Sequence, residues 1–144
     1  MTRSLILFAH GARAASWAAP FERLAALTQA RLPDVPVSLA FLELMEPRLP
    51  EHVAALAAQG VTDITIVPVF LGQGGHLLRD LPLMVGQLRI DHPQLSISVA
   101  GAVGEDPGVL GAMTDYCVVA FSRPACPGWR ALYGGSSSGK ISPP

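Results

Sequence analysis

The sequence predicts a Rossmann-like α/β fold: a four-stranded parallel sheet flanked by helices in a single domain. Three observations carry that prediction. Short apolar runs recur at similar intervals, at residues 5–9, 37–42, 64–71 and 95–100. They are rich in Val, Ile, Leu and Phe, and two are nearly unbroken, which suits strands covered on both faces better than half-solvated ones. Stretches with helical spacing separate them, so strand and helix alternate, and right-handed crossovers then make the strands parallel.

The first run stops at Ala9, and His10-Gly11 follow at once. A helix is expected over residues 17–32, with Phe21, Leu24, Leu27, Ala30 and Leu32 along one face and Glu22, Arg23, Gln29 and Arg31 mostly off it. Pro33 stops it. The second run leads into Glu43, Glu46 and Pro47; the helix after them carries His52, Val53, Leu56 and Ala57 and ends at Gly60, suited to a left-handed cap. The third run leads into Leu71, Gly72, Gln73, Gly74, Gly75 and His76, with a helix expected over residues 80–91 that turns Leu81, Met84, Val85 and Leu88 inward and ends before Pro93. A fourth helix, over residues 106–121, has Val109, Leu110, Met113, Cys117 and Val118 as its apolar face. Residues 1–122 therefore form the α/β domain, and the Gly-, Pro- and Ser-rich residues 123–144 read as a tail.

Composition narrows the function. A length of 144 residues fits one domain with a buried core, and 50% hydrophobic against 15% charged residues excludes a disordered chain. Lys plus Arg number 10 against 11 Asp plus Glu, with no basic run, so nucleic acid is not an expected partner. Cys117 and Cys126 form neither a zinc spacing nor a disulfide framework. The opening apolar run is too short for a secretory signal, and no segment reaches the roughly 20 apolar residues of a membrane span, so a soluble cytoplasmic protein is expected.

In open parallel sheets ligands bind at the carboxyl ends of the strands. His10, Glu43, Glu46, the glycine-rich 72–75 stretch with His76, and the 101–106 loop all follow such ends. His10 and His76 are expected to face one cleft, whereas His52 and His92 read as surface positions. Neutral imidazole is a borderline ligand suited to cobalt, iron or nickel, and a pair of histidines with open positions suits a site that must release its metal. Imidazole titrates near neutrality, so His10 can also accept a proton when it is not coordinating. Glu43 and Glu46 either serve this site or are, respectively, solvated and drawn to a helix N-terminus. The glycine-rich turn lacks both the dinucleotide fingerprint and the P-loop lysine. Its N–H groups, with Arg13 and Arg79, could instead receive ligand carboxylates.

Three ordered motifs carry a resemblance over residues 5–113. They are Leu5-Ile-Leu-Phe-Ala-His10-Gly11-Ala-Arg13, then Phe41-Leu-Glu-Leu-Met-Glu46-Pro47, then Val67-Pro-Val-Phe-Leu-Gly-Gln-Gly-Gly-His76 followed by Arg79-Asp80-Leu-Pro82. The chain resembles the sirohydrochlorin chelatases, the short cobaltochelatases and ferrochelatases of the class II chelatases. The resemblance implies a chelatase-like fold and insertion of cobalt, iron or nickel into sirohydrochlorin or a related tetrapyrrole, in siroheme or cobalamin biosynthesis. It implies no cofactor beyond the divalent metal substrate. It gives His10 the roles of proton acceptor and metal ligand, makes His76 the second ligand, and makes Glu46, Leu71, Gly72, Gln73, Gly74 and Gly75 tetrapyrrole contacts, with Glu43 and Arg13 as further candidates. Short members resemble half of a two-lobed chelatase, which implies a homodimer. Ala12 stands where a serine is common. A metal- or tetrapyrrole-carrying module without turnover is the alternative, and an ordinary nucleotide-binding domain a third reading.

Overall fold

Four parallel strands form the sheet: β1 (Arg3–Ala9), β2 (Val37–Phe41), β3 (Asp63–Pro68) and β4 (Ser96–Val99), in the order β2-β1-β3-β4. This computed structural model describes residues 2–72 and 74–123, and of His76 the main chain only. Because β2 and β3 flank β1 on opposite sides, the strand order reverses between β1 and β3. A crevice opens at such a switch point, above the carboxyl ends of the two central strands.

The two faces of the sheet follow the alternation of side chains along each strand. Ile6 and Phe8 of β1 lie in register with Ile66 and Pro68 of β3 and point to one side. There they meet Leu49, Val53 and Leu56 of helix α2 (Leu49–Ala58) and Leu77, Leu81, Val85 and Leu88 of helix α3 (Gly75–Asp91). Fully burying an aliphatic or Phe side chain contributes roughly 1.5–3 kcal/mol, and Ile6, Phe8, Leu49, Val53, Ile64 and Ile66 are all fully buried. On the other side a smaller cluster joins Ala9, Phe41 and Ala18, with Phe21, Leu39 and Met45 packed against it. Ala18 and Phe21 come from a 3-10 turn (Ala15–Ala18) and helix α1 (Ala19–Arg31) that together follow β1.

The fold class expected from the sequence is the one observed, with differences at particular elements. In α1 no residue is fully buried, and Leu24 and Leu27 are exposed rather than inward. Gln29, expected off the packed face, is half-buried: its amide donates to the carbonyls of Leu32 at 2.8 Å and Val35 at 3.0 Å and accepts from the Val37 N–H at 2.8 Å, tying the end of α1 to the start of β2. Helix α3 starts at Gly75, five residues before the expected start at residue 80, and carries Pro82 inside it. Strand β3 ends at Pro68 instead of running to residue 71. The Val69 N–H bonds the Phe8 carbonyl at 2.7 Å, so the missing donor of Pro68 faces the β4 side, where the neighbour is ending.

Helix α4 (Pro107–Ser122) is capped by Asp106, whose carboxylate accepts from the N–H groups of Gly108 at 2.8 Å and Val109 at 3.1 Å. Two compact units divide the chain after Val109. None of the residues of α4 is buried: Leu110, Met113, Cys117 and Val118 of its expected inward face are exposed and Val109 is half-buried. The expected tail from residue 124 onward, with Cys126, lies outside the described residues. No helix among the described residues is long and apolar enough to cross a membrane.

Candidate functional site

The switch point is built first from β1. Its pairing with β2 continues past the strands proper, since the Leu42 N–H bonds the Ala9 carbonyl at 2.8 Å and the Glu43 N–H bonds the His10 carbonyl at 3.0 Å. Gly11 then turns the chain away with φ at 88°, in the left-handed region. A Cβ there would land on the Glu43 carbonyl oxygen, so the position demands glycine twice over, by conformation and by space. His10 is left exposed at the strand end, its main chain fixed by the ladder and its ring free to meet a ligand.

One side of that ring is held. The imidazole lies edge-on to Phe70, with centroids 4.4 Å apart and planes at 70°. Phe70 is itself buried and meets Phe8 edge-on at 5.7 Å, so the central strands support His10 through two aromatic contacts. Around His10 opens a hollow of about 350 Å³. Val69, Phe70, Leu71 and Gly72 wall it from beyond the end of β3, Trp17 from the β1–α1 connection, Phe21 from α1, and Val103 from the loop after β4. That loop is pinned beneath the β3 end. The Gly104 N–H bonds the Phe70 carbonyl at 2.8 Å, and a Cβ on Gly104 would overlap the main chain of Leu71.

The residues expected to contact substrate are distributed as follows. Leu71 and Gly72 line the hollow with His10. Gly74 caps α3 and Gly75 begins it, which puts the main chain of His76 in the first turn of a helix that starts seven residues after β3. His10 and the backbone of His76 thus follow the ends of adjacent strands. Gln73 and the His76 side chain lie outside the described residues. Glu43 is exposed beside His10, joined to it through the main-chain bond given above, and Arg13 is exposed two residues beyond Gly11. Glu46 faces elsewhere: it lines a separate groove of about 600 Å³ along the β2 edge with Met45, Pro47 and His52, and no residue lines both that groove and the His10 hollow. Among the described residues no three His, Cys, Asp or Glu side chains gather as a metal-ligand set.

His52 corrects the expectation that it lies free on the surface. It is half-buried on α2, its Nε2 is 2.7 Å from the Ser38 hydroxyl of β2, and burial lowers its pKa from 6.5. His92, expected at the surface, is also half-buried, at the C-cap of α3. Sequence reasoning missed Trp17, Phe70 and Val103 as walls of the hollow and Gly104 as a support packed against Leu71. The 101–106 loop was expected at this edge, but nothing in its spacing singled out Gly104, whose φ is not in the left-handed region and whose constraint is purely spatial.

An open parallel α/β sheet with an exposed imidazole and a ligand-sized hollow at its switch point is the class of protein that fold and site define. Within that class the CbiX family model matches residues 4–117, and the chain belongs to the CbiX family. It is 39% identical over 80 residues to a sirohydrochlorin cobaltochelatase of Methanosarcina acetivorans, a match covering 51% of this chain and 62% of that protein. The matched region therefore spans less than two thirds of that relative's length. A Marinobacter aquaeolei CbiX protein assigned to cobalamin (vitamin B12) biosynthesis superposes with a TM-score of 0.75 at 34% identity, over 85% of this chain and 99% of that one. SirB of Bacillus subtilis, solved with Fe3+, superposes with a TM-score of 0.71 at 26% identity, over 86% of this chain but 49% of SirB.

Proposed function

We propose that the protein inserts a divalent metal ion, cobalt or iron and by the same chemistry nickel, into sirohydrochlorin or a related tetrapyrrole. The observation that carries this reading is His10: a supported but exposed imidazole at the β1 end, opening into an apolar hollow at the switch point. The names of its relatives as sirohydrochlorin chelatases support the substrate class.

In the proposed reaction the metal reaches the ring through His10 and His76. As it enters, the two pyrrolic N–H protons leave, one to His10 whenever its nitrogen is not coordinating and the other to solvent. Two nitrogen ligands leave most of the coordination sphere open, so the macrocycle can displace the protein's ligands one at a time. Leu71, Gly72, Gln73, Gly74 and Gly75 contact the ring, with loop N–H groups and Arg13 available to its carboxylates. Glu43 borders the same edge, and Glu46, in its own groove, contacts the tetrapyrrole only at a part of the rim outside the hollow. The macrocycle's own affinity for metal drives the step, with no cofactor beyond the metal substrate. We assign the work to residues 1–122, with residues 123–144 as a tail, in a cytoplasmic protein. Two copies pair as a homodimer, a reading supported by the match of this chain to 49% of SirB. Sedimentation at the mass of one chain would remove the pairing from this proposal.

The test follows the absorption change of sirohydrochlorin with Co(II), Fe(II) or Ni(II). The wild-type protein should accelerate insertion; His10→Ala should cost roughly a hundredfold or more, the usual worth of a positioned proton acceptor, and His76→Ala should slow insertion by removing a metal ligand. Wild-type rates equal to the spontaneous reaction, with tight tetrapyrrole binding retained, would make the protein a carrier instead.

A further inference from the structure

The wall that Trp17 gives the His10 hollow has a chemistry that metal transfer alone does not explain. Trp17 stands on the 3-10 turn after β1 with 43% of its surface exposed, yet it lines the same hollow as His10. Its indole is not a loose surface side chain: Phe21 braces it at 5.7 Å between centroids with planes at 47°, and Phe21 lines the hollow too. Apart from His10, the side chains around this space are aromatic or aliphatic: Trp17, Phe21, Phe70, Leu71, Val69 and Val103. Volume adds a constraint. About 350 Å³ is at the small end for a ligand pocket, so the hollow receives part of a large flat molecule rather than enclosing it.

We infer that Trp17 is a substrate-binding residue that stacks on one face of the tetrapyrrole, and that this hollow recognises the π surface of the ring rather than the carboxylates at its rim. The inference rests on the proposed chelatase reading and extends it to a residue and a mode of recognition. A conjugated ring with its nitrogens near His10 must lie against whatever walls the hollow, and within van der Waals reach those walls offer π and aliphatic surface. An indole with two rotatable side-chain angles, already held by Phe21, loses little freedom on binding. Charged rim groups are then left to water, to the loop N–H groups, to Arg13 or to the second copy.

The test uses sirohydrochlorin as the probe and full-length protein carrying Trp129→Phe, which leaves Trp17 as the sole indole of the two in the sequence. Saturable quenching of its fluorescence by sirohydrochlorin is expected. In steady-state cobalt insertion, Trp17→Phe should keep KM within about threefold, while Trp17→Leu, apolar but without a π face, should raise KM roughly tenfold with kcat nearly unchanged. Thermal melts of both variants separate a binding loss from a folding loss, and should they melt early, the quenching titration below the transition still decides. Equal KM for the Leu and Phe variants, or no quenching by a ring that the protein demonstrably metallates, would overturn the inference. Quenching without catalysis would leave Trp17 as a ring-binding residue and sink the chelatase reading instead.

Discussion

Two glycines show how differently single residues at this site can be constrained. Gly11 directly follows the first apolar run, where a glycine suits a sharp turn, and its backbone is left-handed, leaving His10 exposed at the strand end. Gly104 has no unusual backbone angle; it is required because the main chain of Leu71 lies where its side chain would be. No local pattern encodes such an approach between segments more than thirty residues apart, which is why this support of the hollow was invisible before the structure. Gly104→Ala should displace Leu71 and Gly72, costing about 1–3 kcal/mol in urea denaturation and raising KM for the tetrapyrrole. An unchanged KM together with unchanged stability would show that the loop does not depend on this contact. The aromatic support was hidden for a related reason: Phe70 reads in sequence as one more strand residue, and only the sheet register brings it beside His10 and Phe8.

At the scale of elements, periodicity found all four strands and the four long helices, and missed where a helix had more than one apolar stripe or started ahead of its apolar spacing. In α1 the small and apolar residues are spread around the axis, so Leu24 and Leu27 were an arbitrary choice of inner face, while Gln29 turned inward to satisfy three backbone groups. In α3 the apolar spacing marked only residues 80–91; the helix starts at Gly75 and runs through Pro82. The α2–β2 contact carries a pH dependence. His52 is half-buried against Ser38 and its folded pKa lies below 6.5, with burial as the cause. Above that value both folded and unfolded chains hold it neutral. As pH falls through 6.5, the unfolded chain binds the proton first, so stability declines until the lower folded pKa is reached. His52→Gln should therefore lose less stability than wild type between about pH 7 and pH 5. Parallel stability profiles for the two proteins would remove His52 as a source of acid sensitivity.

For the whole molecule, topology decides where chemistry can happen. The order β2-β1-β3-β4 makes β1 and β3 neighbours with their connections leaving in opposite directions, and this places the His10 hollow and the α3 N-terminus at one edge of the sheet. The alternation of strands and helices made that edge predictable, whereas the separate groove of Glu46 depends on how the 42–48 segment folds back, its Pro47 carbonyl accepting from the Phe41 N–H at 2.9 Å. All of this meets in one claim, that metal passes to the ring at the switch point through His10. Anomalous diffraction from crystals soaked in Co(II) tests it most directly. The account predicts a cobalt peak at roughly 2.0–2.2 Å from an imidazole nitrogen of His10, above the β1 and β3 ends, and its loss in His10→Ala. Cobalt bound only elsewhere, such as in the His52 and Glu46 groove, with His10 untouched, would contradict it.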